Sequence, residues 1–391
     1  MTSYDQPSSS NEEIFAENAS TSIHSRSTTP SLTSQSHHRC VATLKSHNSY
    51  TSSLVLAGKF LFTGSSDKEI RMWKRRADHE NPTNDDVVVV VAGKGAVKSL
   101  VVSAGDKIFS AHQDNKIRVW KINNHHNSDT QTLAHLATLP ILSDRAIKYL
   151  RPKNHVQIRR HKTSTWVHHV DAVSALALSQ DESLLYSVSW DRTLKIWSTP
   201  DFKCIQSIEN AHDDAINALA ASRDGRVYTG SADKKIKVWG KPHGGEKNHS
   251  LVATLEKHSS GINALAVDMN GSVLYSGSSD RTILVWENDC GGGGGRTVAA
   301  LRGHKKAILC LGVVADLVCS GSADKTIRIW RRGVERCYSC VAVLAGHDGP
   351  VKCLTAASDC HHEGDDETSS YLLYSGGLDG DTKVWEIFVL R

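Results

Sequence analysis

The chain has 391 residues, of which 39% are hydrophobic and 23% charged, with a net charge of +4. That balance excludes the strongly basic domains that wrap nucleic acid, and the longest apolar stretch, Val87 to Ala92, is too short to span a bilayer. Nine cysteines, an odd number without regular spacing, fit reduced thiols better than a disulfide framework, and nine tryptophans against six phenylalanines are the unusual feature.

Residues 1–37 hold 16 Ser or Thr and few apolar residues, so 1–38 reads as a disordered tail. Within it Ser27 and Thr29, beside Arg26 and Pro30, are positions that could carry phosphate, although a merely solvating tail is the simpler reading. The chain opens on the polar Met1 to Gln6 rather than a charged-then-apolar leader, so a cytosolic or nuclear protein with no membrane partner is expected.

From residue 39 to 391 the sequence repeats itself. One tryptophan marks each of seven units: Trp73, Trp120, Trp197, Trp239, Trp286, Trp330 and Trp385. Six residues before each stands Asp67, Asp114, Asp191, Asp233, Asp280, Asp324 or Asp379. Four residues before each aspartate stands a hydroxyl: Thr63, Ser110, Ser187, Thr229, Ser276, Ser320 or Ser375. A histidine, His47, His169, His212, His258, His304 or His347, precedes by four residues an alternating apolar run such as Ile216-Asn217-Ala218-Leu219. Gly93 holds that place in the second unit, which therefore reads as lacking its histidine. Short runs of period two, separated by Gly, Ser and Asp, give four strands per unit and predict an all-β, seven-bladed propeller. The last unit ends without a fourth strand, and residues 40–44 supply one, with about three apolar side chains to bury.

These patterns, with Gly303-His304 and Ala323-Asp324-Lys325-Thr326-Ile327-Arg328-Ile329-Trp330 as the clearest case, resemble the WD-repeat family over residues 40–391. The residue after the tryptophan is never the aspartate of the family pattern. Leu139-Pro140, Pro152 to His161 and His169 to Leu176 further resemble the plant WD-repeat proteins of the JINGUBANG type. That resemblance implies a regulatory interaction protein, one acting on transcription factors among the options. Family likeness also raises a second role, substrate receptor of a cullin-RING ubiquitin ligase, but such receptors show Trp-Asp-x-Arg, and Trp73-Lys74-Arg75-Arg76 lacks the acid.

Indole donates only, a hydroxyl donates and accepts, imidazole does one at each nitrogen, and carboxylate only accepts, so the four recurring residue types can close one hydrogen-bond chain per unit. Ser, His and Asp also suggest a hydrolase, but seven near-copies point to a structural device, since a catalytic site is needed once and no Gly-x-Ser-x-Gly elbow exposes a nucleophile. No catalytic residue, cofactor or small-molecule substrate is expected. Cys337-Tyr338-Ser339-Cys340 has the spacing of half a zinc site with no matching second pair, so no metal is expected. Gly93 to Ser99 lacks the glycine before its lysine that a phosphate loop needs.

In WD-repeat propellers the loops before the first strand and between strands two and three share one rim, which points to Tyr50, Lys98, Trp190, Leu309, Lys352 and Leu378 as outward partner contacts. The interval from Trp120 to Trp197 spans 77 residues and places an insertion at about 140–165 on that rim. Its seven cations, among them Arg151, Arg159, Arg160 and Lys162, face one acid, Asp144. An acidic or phosphorylated protein partner is the expectation, a solvated basic loop the plainer alternative, and nucleic acid the weakest, because no stripe of aromatics accompanies the cations.

Overall fold

Each repeat folds as an antiparallel sheet because its apolar residues fall on alternate positions between turns rich in Gly, Ser and Asp. In the fourth repeat the strands are Ile216–Ala221, Val227–Ser231, Lys235–Gly240 and Ser250–Glu256, paired in chain order. Along the third, Ile236 and Val238 are buried while Lys235 and Lys237 stay half-exposed. The computed structural model describes residues 37–45, 47–75, 87–104, 106–124, 131–142, 155–159, 162–241, 248–287, 295–333, 337–358 and 368–390. These belong to the unit Ser34–Arg391. The predicted tail, with Ser27 and Thr29, lies outside the described residues.

Seven four-stranded sheets stand in a ring and make a seven-bladed β-propeller. The inner strands are Thr51–Ala57, Val97–Ser103, Val173–Leu178, Ile216–Ala221, Ile262–Val267, Ile308–Val314 and Val351–Ser358. Each touches the next, and the last touches the first. The core is divided the same way. Seven buried clusters each join two neighbouring blades, as where Phe109 and Val119 of blade 2 pack against Leu185 and Trp197 of blade 3. The backbones approach closely at these seams: a Cβ on Gly230 would stand 2.6 Å from Cγ2 of Ile262 in the next blade.

The strand His37–Lys45 pairs antiparallel with the last strand, Asp381–Leu390, and completes blade 7. It is longer than the predicted 40–44 because its partner runs ten residues and carries the ladder out to His37 opposite Phe388. Its burial is smaller than expected: Leu44 is buried, while Val41 and Ala42 are only half-buried. Arg39 compensates by donating from Nε to the buried Glu386 carboxylate at 2.5 Å.

The insertion between blades 2 and 3 contains a two-stranded hairpin, His155–Arg159 with Lys162–Thr165, in which Arg159 lies opposite Lys162. Arg151 and Arg160 lie outside the described residues.

Candidate functional site

One end of the ring is defined by two sets of loops that hydrogen bonds tie together. In blade 5 the Trp286 indole N–H donates to Ser276 Oγ at 2.8 Å, and His258 Nε2 stands 2.8 Å from the same hydroxyl. His258 Nδ1 lies 2.8 Å from the Asp280 carboxylate, which also accepts the backbone N–H of Ser259 and of Thr282. Carboxylate accepts only, so Nδ1 carries the proton and Nε2 accepts from the hydroxyl. The same chain joins Trp73, Thr63, His47 and Asp67, Trp197, Ser187, His169 and Asp191, and Trp239, Thr229, His212 and Asp233. It recurs with Trp330, Ser320, His304 and Asp324 and with Trp385, Ser375, His347 and Asp379.

Burial outweighs the neighbouring carboxylate and holds His47, His169, His212, His258 and His304 below the ordinary imidazole value of 6.5, so they are neutral at pH 7. Burial alone would raise the aspartates. Hydrogen bonds from imidazole, backbone amides and, in blade 6, Thr326 outweigh it and hold Asp324 down to about 2. The networks of these five blades are therefore anionic. The residue after the aspartate turns the chain with a positive φ in all seven blades, and in five it is a cation: Lys68, Arg192, Lys234, Arg281 and Lys325.

Blade 2 departs from this pattern, and the reading that it lacks its histidine is corrected. His112 Nε2 stands 2.8 Å from Ser110 Oγ, which Trp120 also reaches at 2.8 Å. His112 Nδ1 faces the Gly95 carbonyl at 3.2 Å. The imidazole thus enters from the second strand, where five other units have a serine and the last has Gly377. Asp114, released from histidine, binds the Arg118 guanidinium through both oxygens, at 3.1 and 2.6 Å. Arg118 fills the space over Gly93, whose φ of +132° disfavours any side chain there. Sequence spacing missed His112 because it was sought in the loop; the replacement of serine at position 112 was the available signal.

Every network hydroxyl, from Thr63 to Ser375, is fully buried, so no substrate carbonyl can reach it. His47, Asp67 and Glu69 could crowd one ion, but His47 already donates to Asp67.

A second device rings the same end. The second residue of every inner strand is a β-bulge, which turns its side chain out of the ladder. At four blades that side chain donates to the first carbonyl of the next inner strand: Ser52 to Val97, Ser174 to Ile216, Asn217 to Ile262 and Asn263 to Ile308. At the other three it is Lys98, Leu309 or Lys352. Of the predicted contacts, Trp190 is 41% and Leu378 46% exposed. Lys352 is exposed, while Tyr50, Lys98 and Leu309 are half-buried. Lys98 Nζ lies 5.3 Å from the centre of the Trp190 ring, a cation–π contact that steadies the exposed indole.

The family model of the WD domain, G-beta repeat, matches residues 38–74, 160–198, 202–240, 249–287, 295–331 and 338–386, more than half of the chain. This chain belongs to the WD-repeat family. The matched segments pass over blade 2, the blade whose histidine comes from the strand. WD-repeat propellers generally act as protein-interaction scaffolds rather than enzymes. Among similar proteins, the small ribosomal subunit protein RACK1 of Drosophila melanogaster is 34% identical over 105 residues, 26% of this chain and 31% of that protein. Striatin-3 of Rattus norvegicus is 29% identical over 153 residues, 34% of this chain and 19% of its own length. Cilia- and flagella-associated protein 52 of Chlamydomonas reinhardtii is 35% identical over 88 residues, 22% of this chain and 14% of that protein. The chain thus matches less than a third of the length of each.

Proposed function

We propose that this propeller is a non-catalytic adaptor of the cytosol or nucleus that holds a protein partner against the end of the ring carrying the histidine loops. The observation that carries this reading is the exposed Trp190, held in place by Lys98 on a rim that the networks make rigid. An aromatic with few torsions to immobilise, presented on a rigid support, is the kind of residue that dominates binding energy. Burial of all seven network hydroxyls supports a role without chemistry. The resemblance to JINGUBANG-type proteins supports a regulatory role, with a transcription factor as one class of partner, and the basic insertion supports a partner of acidic or phosphorylated character.

The test purifies the full chain with its bound proteins from its own cell type and compares the mass-spectrometry profile with two variants. One carries Trp190→Ala with Leu378→Ser; the other carries Arg151, Arg159, Arg160 and Lys162 as Glu. Both must match the parent in circular dichroism and melting temperature. Selective loss of a partner in the rim variant supports the reading, and loss in both extends the contact to the insertion. Identical profiles for all three overturn it.

A further inference from the structure

The bulge position separates residues the ring uses from residues it does not. Ser52, Ser174, Asn217 and Asn263 are engaged in joining blades. Among the described residues Lys98 and Lys352 donate to no neighbouring carbonyl from that position, and Leu309 has no donor; they sit in blades 2, 7 and 6, with Tyr50 in blade 1 between the two lysines and Trp190 in blade 3 beyond. These blades are consecutive around the ring, so the five side chains form one arc.

Its centre is a phenol between two ammonium groups. The Tyr50 hydroxyl lies within electrostatic reach of both Lys98 and Lys352. Burial would raise this phenol, but Ser66 and the two lysines outweigh it and lower it from its ordinary value. Among the described residues neither lysine takes part in an ion pair.

We propose that the arc is a subsite for a phosphorylated side chain of the protein partner, flanked in that partner by apolar residues that cover Leu309 on one side and Trp190 on the other. The proposal rests on the scaffold reading and adds the chemistry of what is recognised. A phosphate ester carries about −1.5 to −2 charges at pH 7 and three acceptor oxygens. It matches two ammonium groups and a rotatable hydroxyl in both charge and number of donors. A carboxylate offers one charge and two oxygens, so it leaves one lysine uncompensated. Apolar flanks follow from the two ends of the arc, which offer an aliphatic side chain, Leu309, and the exposed ring of Trp190 beside Lys98.

The experiment passes three peptide libraries with degenerate flanks over the immobilised full chain; the central residue is phosphoserine, Glu or Ser. Retention of the phosphoserine library at least tenfold above the Ser library, with Leu, Ile or Phe selected in the flanks, is the expected result. Lys98→Gln with Lys352→Gln should remove at least nine-tenths of that retention, and Lys352→Gln alone, at an exposed position, should lower it severalfold without changing the fold. Equal retention of the Glu library, undiminished binding by the double variant, or no enrichment over Ser would each overturn the proposal. If the libraries fail while the Trp190 and Leu378 variant still loses a cellular partner, the subsite falls and the scaffold reading stands.

Discussion

At the scale of single residues, the imidazoles whose protonation burial opposes, six of them in the blade networks, tie stability to acidity. His47, His112, His169, His212, His258 and His304 are all lowered from 6.5. As pH falls below 6.5 the unfolded chain takes up protons that the native imidazoles refuse, so the unfolded state binds more protons and stability falls. Each such group contributes up to about 1.4 kcal/mol per pH unit until its native value is reached. The aspartates act in the same direction at lower pH, because their native values lie below 3.8 and unfolded carboxylates protonate first. Urea unfolding should therefore show a plateau near pH 7 to 8 and a steepening loss below 6.5. His258→Asn should lower the plateau, since Asp280 and Ser276 lose a shared partner at about 1–3 kcal/mol, and should flatten the slope by one proton. Equal stability at pH 5 and pH 7.5 would rule this account out.

At the scale of strands, the ring depends on the segment that arrives from the other terminus. Removing residues 38–46 takes away Leu44, Val41 and Ala42 and uncovers the cluster they pack against, unpairs the edge of Asp381–Leu390, and leaves Glu386 without Arg39. Apolar burial there is on the order of 3–5 kcal/mol as an upper bound, a large share of an ordinary domain's stability. The deletion should lower the melting temperature by more than about 10 °C, and an unchanged transition would show that the ring closes without it. This strand was legible in the sequence, as were the seven sheets, because tryptophan, aspartate and hydroxyl keep one spacing that short antiparallel hairpins transmit without slippage. The bulges were not. Ile216-Asn217-Ala218 reads as plain alternation, and only the pairing of Ile216 with Ser231 and Ala218 with Gly230 shows that Asn217 has left the ladder. His112 escaped for a related reason: a strand and a loop deliver the same ring nitrogen to the same hydroxyl, so chemistry is conserved across blades while spacing is not.

At the scale of the whole molecule, seven equivalent blades make the position of the chain break a matter of connection rather than of packing. Blade 7 is closed by two segments far apart in sequence, yet its paired ends, His37 and Phe388, are adjacent. A short Gly-Ser link between residues 390 and 37 would supply the third-to-fourth-strand connection that the other blades already have. Opening the chain between Gly240 and Ser250 would then give blade 4 the two-segment closure, with Ser250–Glu256 as the arriving strand. Every seam cluster and every network is retained, and loop closure entropy changes only with the logarithm of length. This circular permutant should fold with a melting temperature within about 5 °C of the parent, as permutation at exposed connections is commonly tolerated. A second permutant opened between Asp233 and Lys234 differs by one turn, but it cuts the positive-φ residue that presents Asp233 to His212 and separates the hairpin Val227–Ser231 with Lys235–Gly240. It should melt well below the first. Failure of both would mean that closure at blade 7 is special, and the contact of Arg39 with Glu386 would be the place to look.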